Sequence, residues 1–96
     1  MKLRWTRLAL ADFLDAQEYI AHDNPLAAQA VAQRIDEAAR GLLDHPQIGR
    51  PGHVEGTRER VVSQTPYLIV YRVRGQEIEL LRIWHGNQNW HNQPAS

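Results

Sequence analysis

The chain has no cysteine and only one lysine. Without cysteine there is no disulfide framework, no zinc–thiolate site and no thiol nucleophile, which fits a cytoplasmic protein. No apolar run approaches the roughly 18 residues needed to span a membrane, and the opening MKLRWTRLAL lacks the apolar core of a signal peptide. Net charge is missing too. Eleven basic and eleven acidic side chains cancel, which argues against nucleic-acid binding by bulk attraction. Neither GxGxxG at the start of a helix nor GxxxxGK[ST] occurs, so the signatures of nucleotide binding are absent. His85 and His91 lie six residues apart among neighbours that are poor ligands, and no metal or other cofactor is expected. Ser63 and Ser96 stand in no recognisable nucleophile context.

What is present fits one domain spanning residues 1–96. At 96 residues, 43% apolar and 23% charged, the chain can build one modest core and no second one. Its charges are unevenly placed. Residues 7–44 hold three arginines against seven carboxylates, whereas residues 45–96 hold six arginines against four, along with four of the five histidines. Apart from Lys2, every basic side chain is arginine.

The hydrophobic period also divides the chain. Ala9, Phe13, Ala16 and Ile20 form one stripe at helical spacing, with Thr6 as its N-cap. Asp23-Asn24-Pro25 ends this helix and starts another, with proline at the first helical position. In the second helix Ala28, Val31, Ile35, Ala38 and Leu42 step by threes and fours. Gly41 weakens its last turn and His45-Pro46 stops it. A link of two or three residues makes the pair an antiparallel hairpin. Residues 45–57, dense in glycine and proline, read as a loop without regular structure. From there the period is two: Arg58–Ser63, Tyr67–Val73 and Glu77–Trp84 read as strands, and Lys2–Thr6 can add another. The expected fold is α+β, in the order β-α-α-β-β-β. It is a twisted, mainly antiparallel sheet with the helical hairpin on one face and a flexible tail over residues 86–96.

The candidate functional side chains are arginines on strands. Arg58 and Arg60 lie on the first strand after the loop, Arg72 on the next, Arg82 on the last, and Arg50 in the loop itself. Strand alternation places Ile78, Leu80, Arg82 and Trp84 on one side, and Leu81 and Ile83 on the other. An unpaired arginine is costly to bury, so Arg82 either meets a carboxylate or faces water. Guanidinium groups grip phosphate in a bidentate way, which makes the set a candidate nucleic-acid contact. The structural alternative pairs Arg58, Arg60 and Arg72 with Glu59, Glu77 or Glu79 across strands. Trp84-His85 joins a stacking surface to a side chain that carries protons near neutral pH; alternatively it closes the edge of the core. Tyr67 and Tyr71 share a strand face and read as core.

Five segments, in order and spacing, carry a resemblance: YIAHDNPLAAQAVAQRI (19–35), LLDHPQIGRPG (42–52), GTRERVV (56–62), PYLIVYRV (66–73) and IELLRIWHGNQNW (78–90). Together they resemble the RelE/ParE superfamily, toxins of type II toxin–antitoxin modules. The resemblance implies a small α/β toxin held in a hetero-oligomer by a cognate antitoxin. Two activities occur in the superfamily. RelE-type members cleave mRNA in the ribosomal A site without metal; carried over here, Arg58 would contact the scissile phosphate, Arg82 would supply charge and His85 would move the proton. ParE-type members are similar to inhibitors of DNA gyrase. The asparagine–proline hinge, the GTRE segment and the YRV…LRIWH ending resemble the ParE branch and its plasmid-stabilisation relatives, and the loop 45–57 has none of the lysines common in the nucleases. The implied function is a growth inhibitor acting on gyrase. Arg50, Arg58, Arg60, Arg72, Arg82, Trp84, His85 and Trp90 are its candidate target- or antitoxin-binding residues.

Overall fold

The two helical stripes face the sheet in the computed structural model, which describes residues 1–86. Helix α1 (Arg7–Asp23) buries Ala9 and Ala16 and packs Phe13 and Ile20 against the core. Helix α2 (Pro25–Gly41) buries Ala28, Ile35 and Ala39, and Leu42 follows buried in the turn behind it. Thr6 caps α1 by accepting the Ala9 N–H at 3.2 Å. Asn24 serves both helices. Its N–H bonds to the Ile20 carbonyl at 2.9 Å, and its side chain accepts from the Ala27 N–H at 3.1 Å. The hairpin joint is therefore this one residue, shorter than the two- or three-residue link expected, because a single extended asparagine closes one helix and opens the next.

Five strands follow the order β1-β5-β4-β3-β2: β1 (Lys2–Trp5), β2 (Arg50–Pro51), β3 (Arg58–Val61), β4 (Tyr67–Arg74) and β5 (Glu77–His85). β1 runs parallel to β5, and the other pairs are antiparallel. The core lies between the helices and one sheet face, where Ile35, Ala39 and Leu42 meet Tyr67, Ile69, Tyr71, Ile78, Leu80 and Ile83.

Three local expectations need correction. The stretch 45–57 is not wholly irregular, because Arg50 pairs with Glu59 and Pro51 with Arg58 to form β2. Proline is tolerated there because the strand is at the sheet edge, where its missing N–H breaks no ladder. α2 ends at Gly41, ahead of His45-Pro46; the chain turns over residues 42–44 and the His45 N–H returns to the Gly41 carbonyl at 3.1 Å. The third correction concerns β5. Val70 pairs with Arg82 and Tyr71 with Leu80, which leaves Leu81 as an extra residue, a β-bulge. The bulge reverses the alternation beyond it. Ile83 and His85 join Ile78 and Leu80 on the helix side, while Arg82 and Trp84 turn to the open face.

The bulge sits where β1 ends. Beyond Trp5 no strand among the described residues continues along that edge of β5, and side chains from α1 and its cap replace one. The Thr6 hydroxyl donates to the Leu80 carbonyl at 2.6 Å, and the Asp12 carboxylate accepts the Ile83 N–H at 3.0 Å. Thr6 thus caps a helix and ties it to the sheet. Replacing it with alanine removes both bonds and is expected to cost about 2 kcal/mol in urea denaturation. A cost below about 0.5 kcal/mol would assign the tie no energetic weight.

Candidate functional site

The sheet face away from the helices is built from alternate residues of all five strands, and arginine dominates it. Beneath the arginines are two buried carboxylates. Glu79, 3% exposed, receives Arg4 on one side and the Arg72 Nε at 2.5 Å on the other. Those two guanidinium groups lower its pKa from 4.5 to about 2. Glu59, 4% exposed, accepts from the Arg50 Nε at 3.2 Å and from the His53 N–H at 3.3 Å. Arg82 reaches around the free edge of β5 to Asp12, with Nε to Oδ2 at 2.8 Å and Nη2 to Oδ1 at 3.0 Å. The hydrogen bond to Asp12 raises the Arg82 pKa further, and its guanidinium carbon lies 5.4 Å from the Trp84 ring centre. The side chains of Arg4, Arg50, Arg72 and Arg82 are still 36–62% exposed, so their outer edges remain open to a partner.

Arg58 and Arg60 lie on the other side. Their register partners are Tyr71 and Ile69, whose side chains join the helix-side core. Neither meets the glutamates expected for it; both are bound to main-chain carbonyls of the segments packed there. Arg58 donates to the Gly49 carbonyl at 2.7 Å and to that of Gln47 at 3.3 Å. The Tyr71 hydroxyl holds the same loop, accepting the Gly49 N–H at 2.9 Å and donating to the Pro46 carbonyl at 2.8 Å. A side chain at Gly49 would come within 2.8 Å of the Tyr71 ring, so only glycine lets the loop lie so close. Arg60 donates to the Ala38 carbonyl at 2.9 Å, at the C-terminal end of α2 where the helix presents partial negative charge. Gly41 makes room for it, since a Cβ there would lie 2.8 Å from the Arg60 Nη1. This glycine, a weakness when read from the sequence, is the seat of a guanidinium.

His85 packs edge-on to Tyr67, ring centres 5.3 Å apart, at the end of β5 on the helix side. Burial first, and Tyr19 nearby second, raise the Tyr67 phenol pKa.

The structure therefore brings Arg50, Arg72, Arg82 and Trp84 together on the open face and leaves Arg58, Arg60 and His85 on the other. Trp90 lies outside the described residues, as does the expected tail beyond Gly86. Sequence reasoning passed over Arg4 and Asp12 and treated Glu59 and Glu79 only as possible partners. The Arg72–Glu79 pair follows from the Arg74-Gly75-Gln76 turn, which sets Arg72 opposite Glu79. Nothing local to Asp12 announces a partner seventy positions away. Among the described residues no three His, Asp or Glu side chains converge as metal ligands, and no helix is long and apolar enough to cross a membrane.

The family model of the ParE toxin of type II toxin–antitoxin systems, parDE, matches residues 3–90. The chain belongs to the ParE toxin family. Among its relatives is a protein named Y4kP from Sinorhizobium fredii, 39% identical over 93% of this chain and 92% of its own length. Toxin RelE2 of Caulobacter vibrioides is 38% identical over 84% of this chain and 90% of its own. A solved chain from the chromosomal ParDE toxin–antitoxin system of P. aeruginosa superposes with a TM-score of 0.81 at 33% identity, covering 88% of this chain and 95% of that one. This ParE-family chain thus shares its two helices and open five-stranded sheet with a chain of a toxin–antitoxin system.

The Glu79 pairing in this ParE-family chain predicts a pH dependence. A carboxyl whose pKa falls on folding adds stability above its unfolded value, and that stability is lost as pH falls through the folded value. The contribution is complete above about pH 4.5 and disappears towards pH 2. Urea midpoints measured from pH 7 to 2 should fall across that window. In Glu79→Gln they should start lower and fall less. Parallel curves for the two proteins would contradict the pairing.

Proposed function

We propose that this toxin inhibits growth by binding DNA gyrase, without bond-breaking chemistry of its own, and that a small cognate antitoxin neutralises it in a hetero-oligomer. The observation that carries this reading is the separation of the three side chains a nuclease would need. Arg58 and Arg82 pair with consecutive residues of β4, Tyr71 and Val70, and therefore lie on opposite faces of the sheet. His85 shares a face with Arg58 but sits opposite Tyr67, four residues further along β4, about 13 Å away at strand spacing. Each arginine is also held by the fold, Arg58 by the loop carbonyls and Arg82 by Asp12. A metal-independent phosphoryl transfer needs its cationic groups aimed at one phosphate. The match to the ParE family over residues 3–90 supports the same reading, as does a loop 45–57 without lysine. Arg50, Arg72, Arg82 and Trp84 form the face offered to gyrase or to the antitoxin, with exposed guanidinium edges and a half-buried indole around buried carboxylates. In such a face charge steers association and orientation more than it adds affinity.

The relative named RelE2 makes the ribosome the competing target. Purified toxin added to gyrase and relaxed plasmid should block supercoiling, and mRNA on translating ribosomes should stay intact. Codon-linked mRNA cuts with unimpaired supercoiling would instead establish a ribosome-dependent endoribonuclease built on Arg58, Arg82 and His85.

A further inference from the structure

Helix α1 carries a second stripe, distinct from the one it packs on the sheet. Arg7, Leu10, Leu14 and Glu18 step by three, four and four, so they share one face of the helix, with Ala11 beside them. The packed stripe of the same helix runs through Ala9, Phe13, Ala16 and Ile20. Leu10 is 46% and Leu14 55% exposed, and Arg7, Ala11 and Glu18 are exposed with them. Two leucines one turn apart on the solvent side of a helix add nothing to the core of this chain.

The charges at the two ends of the stripe are not matched within the chain either. Neither Arg7 nor Glu18 forms an ion pair among the described residues. Arg7 is the first residue of α1, at the positive end of the helix, where a cation is disfavoured. Along the helix the stripe reads basic, apolar, apolar, acidic. Parallel copies would set Arg7 against Arg7 and Glu18 against Glu18. Antiparallel copies set each Arg7 against the other copy's Glu18. The register agrees. The midpoint of Arg7 and Glu18 falls between positions 12 and 13, and that of Leu10 and Leu14 at position 12. At about 1.5 Å of rise per residue the two midpoints differ by less than about 1 Å. One two-fold axis therefore brings four leucines together between two ion pairs, and the small Ala11 lets the helices approach.

We propose that this toxin self-associates as a two-fold dimer through antiparallel packing of the outer face of α1 on the same face of a second copy. A chain of zero net charge presents no long-range repulsion to that encounter. The stripe belongs to the helical layer, so the dimer leaves both open sheet faces uncovered and offers a target two copies of Arg50, Arg72, Arg82 and Trp84. One helix face is a small interface, and the association is accordingly reversible.

Sedimentation equilibrium of the purified toxin, from about 1 μM to about 1 mM, should show a monomer–dimer equilibrium. Arg7→Glu and Glu18→Arg should each weaken it about tenfold or more, because each variant sets like charges together at both ends of the stripe. An equimolar mixture of the two variants should associate again, within about threefold of the wild type, since each chain then meets opposite charge at both ends. A misfolded variant could not be rescued in this way. A toxin monomeric throughout the range would overturn the proposal, as would a dimer indifferent to both substitutions or a mixture that fails to associate. A monomeric toxin whose antitoxin complex is weakened by Arg7→Glu would give the stripe to the antitoxin and equally overturn the dimer.

Discussion

One carboxylate joins the two layers of this molecule. β5 lies between β1 and β4, but β1 pairs with it only as far as Trp5, and the rest of that edge would be open. Asp12, projecting from α1, takes the place of a strand there. It accepts the Ile83 N–H and clasps the Arg82 guanidinium with both oxygens. The bulge at Leu81 makes this geometry possible, because it turns Ile83 into the core and brings Arg82 to the edge within reach of the helix. The same bulge sets Trp84 on the open face beside Arg82.

The same logic governs the other arginines. A sheet face with no helix over it among the described residues has to reconcile burial of its apolar strands with exposure to water. Leu68 and Val70 are buried on that face, flanked across the strands by Trp84 and Arg82. Long side chains with apolar stems and charged ends suit the task, provided their charges are matched. Glu59 and Glu79 supply the match from beneath. This explains why a chain of zero net charge concentrates arginine in its second half, and why lysine is nearly absent. A planar fork can hold two acceptors at once, as Arg82 does on Asp12, whereas an ammonium group cannot reproduce that geometry. Charge that looked like a nucleic-acid footprint in the sequence is mostly internal structure with exposed outer edges.

How much of this could be read from the sequence depends on distance along the chain. The helical stripes, the Thr6 and Asn24 caps and the β4–β5 hairpin follow from local period and residue type, and the structure contains all of them. Their order was enough to expect an α+β sheet with a helical hairpin on one face. The bulge at Leu81 was not legible, because β5 is apolar on both sides of it and either alternation looks acceptable. The two residues of β2 were hidden by Pro51 and its neighbouring glycines, which signal a loop wherever they occur. Arg58 and Arg60 looked free for chemistry because their acceptors are main-chain carbonyls, which leave no mark in residue type. The Arg82–Asp12 clasp was open only as a general alternative, since burial demands some carboxylate without saying which.

The Arg82–Asp12 pair is a structural clasp between β5 and α1. A double-mutant cycle with Asp12→Asn, Arg82→Gln and the two combined, followed by urea denaturation, measures it directly. The expected coupling is about 1.5 kcal/mol, in the range of a two-bond, partly exposed ion pair. A coupling near zero, with stability unchanged by Arg82→Gln, would contradict it and return Arg82 to the list of side chains free for chemistry.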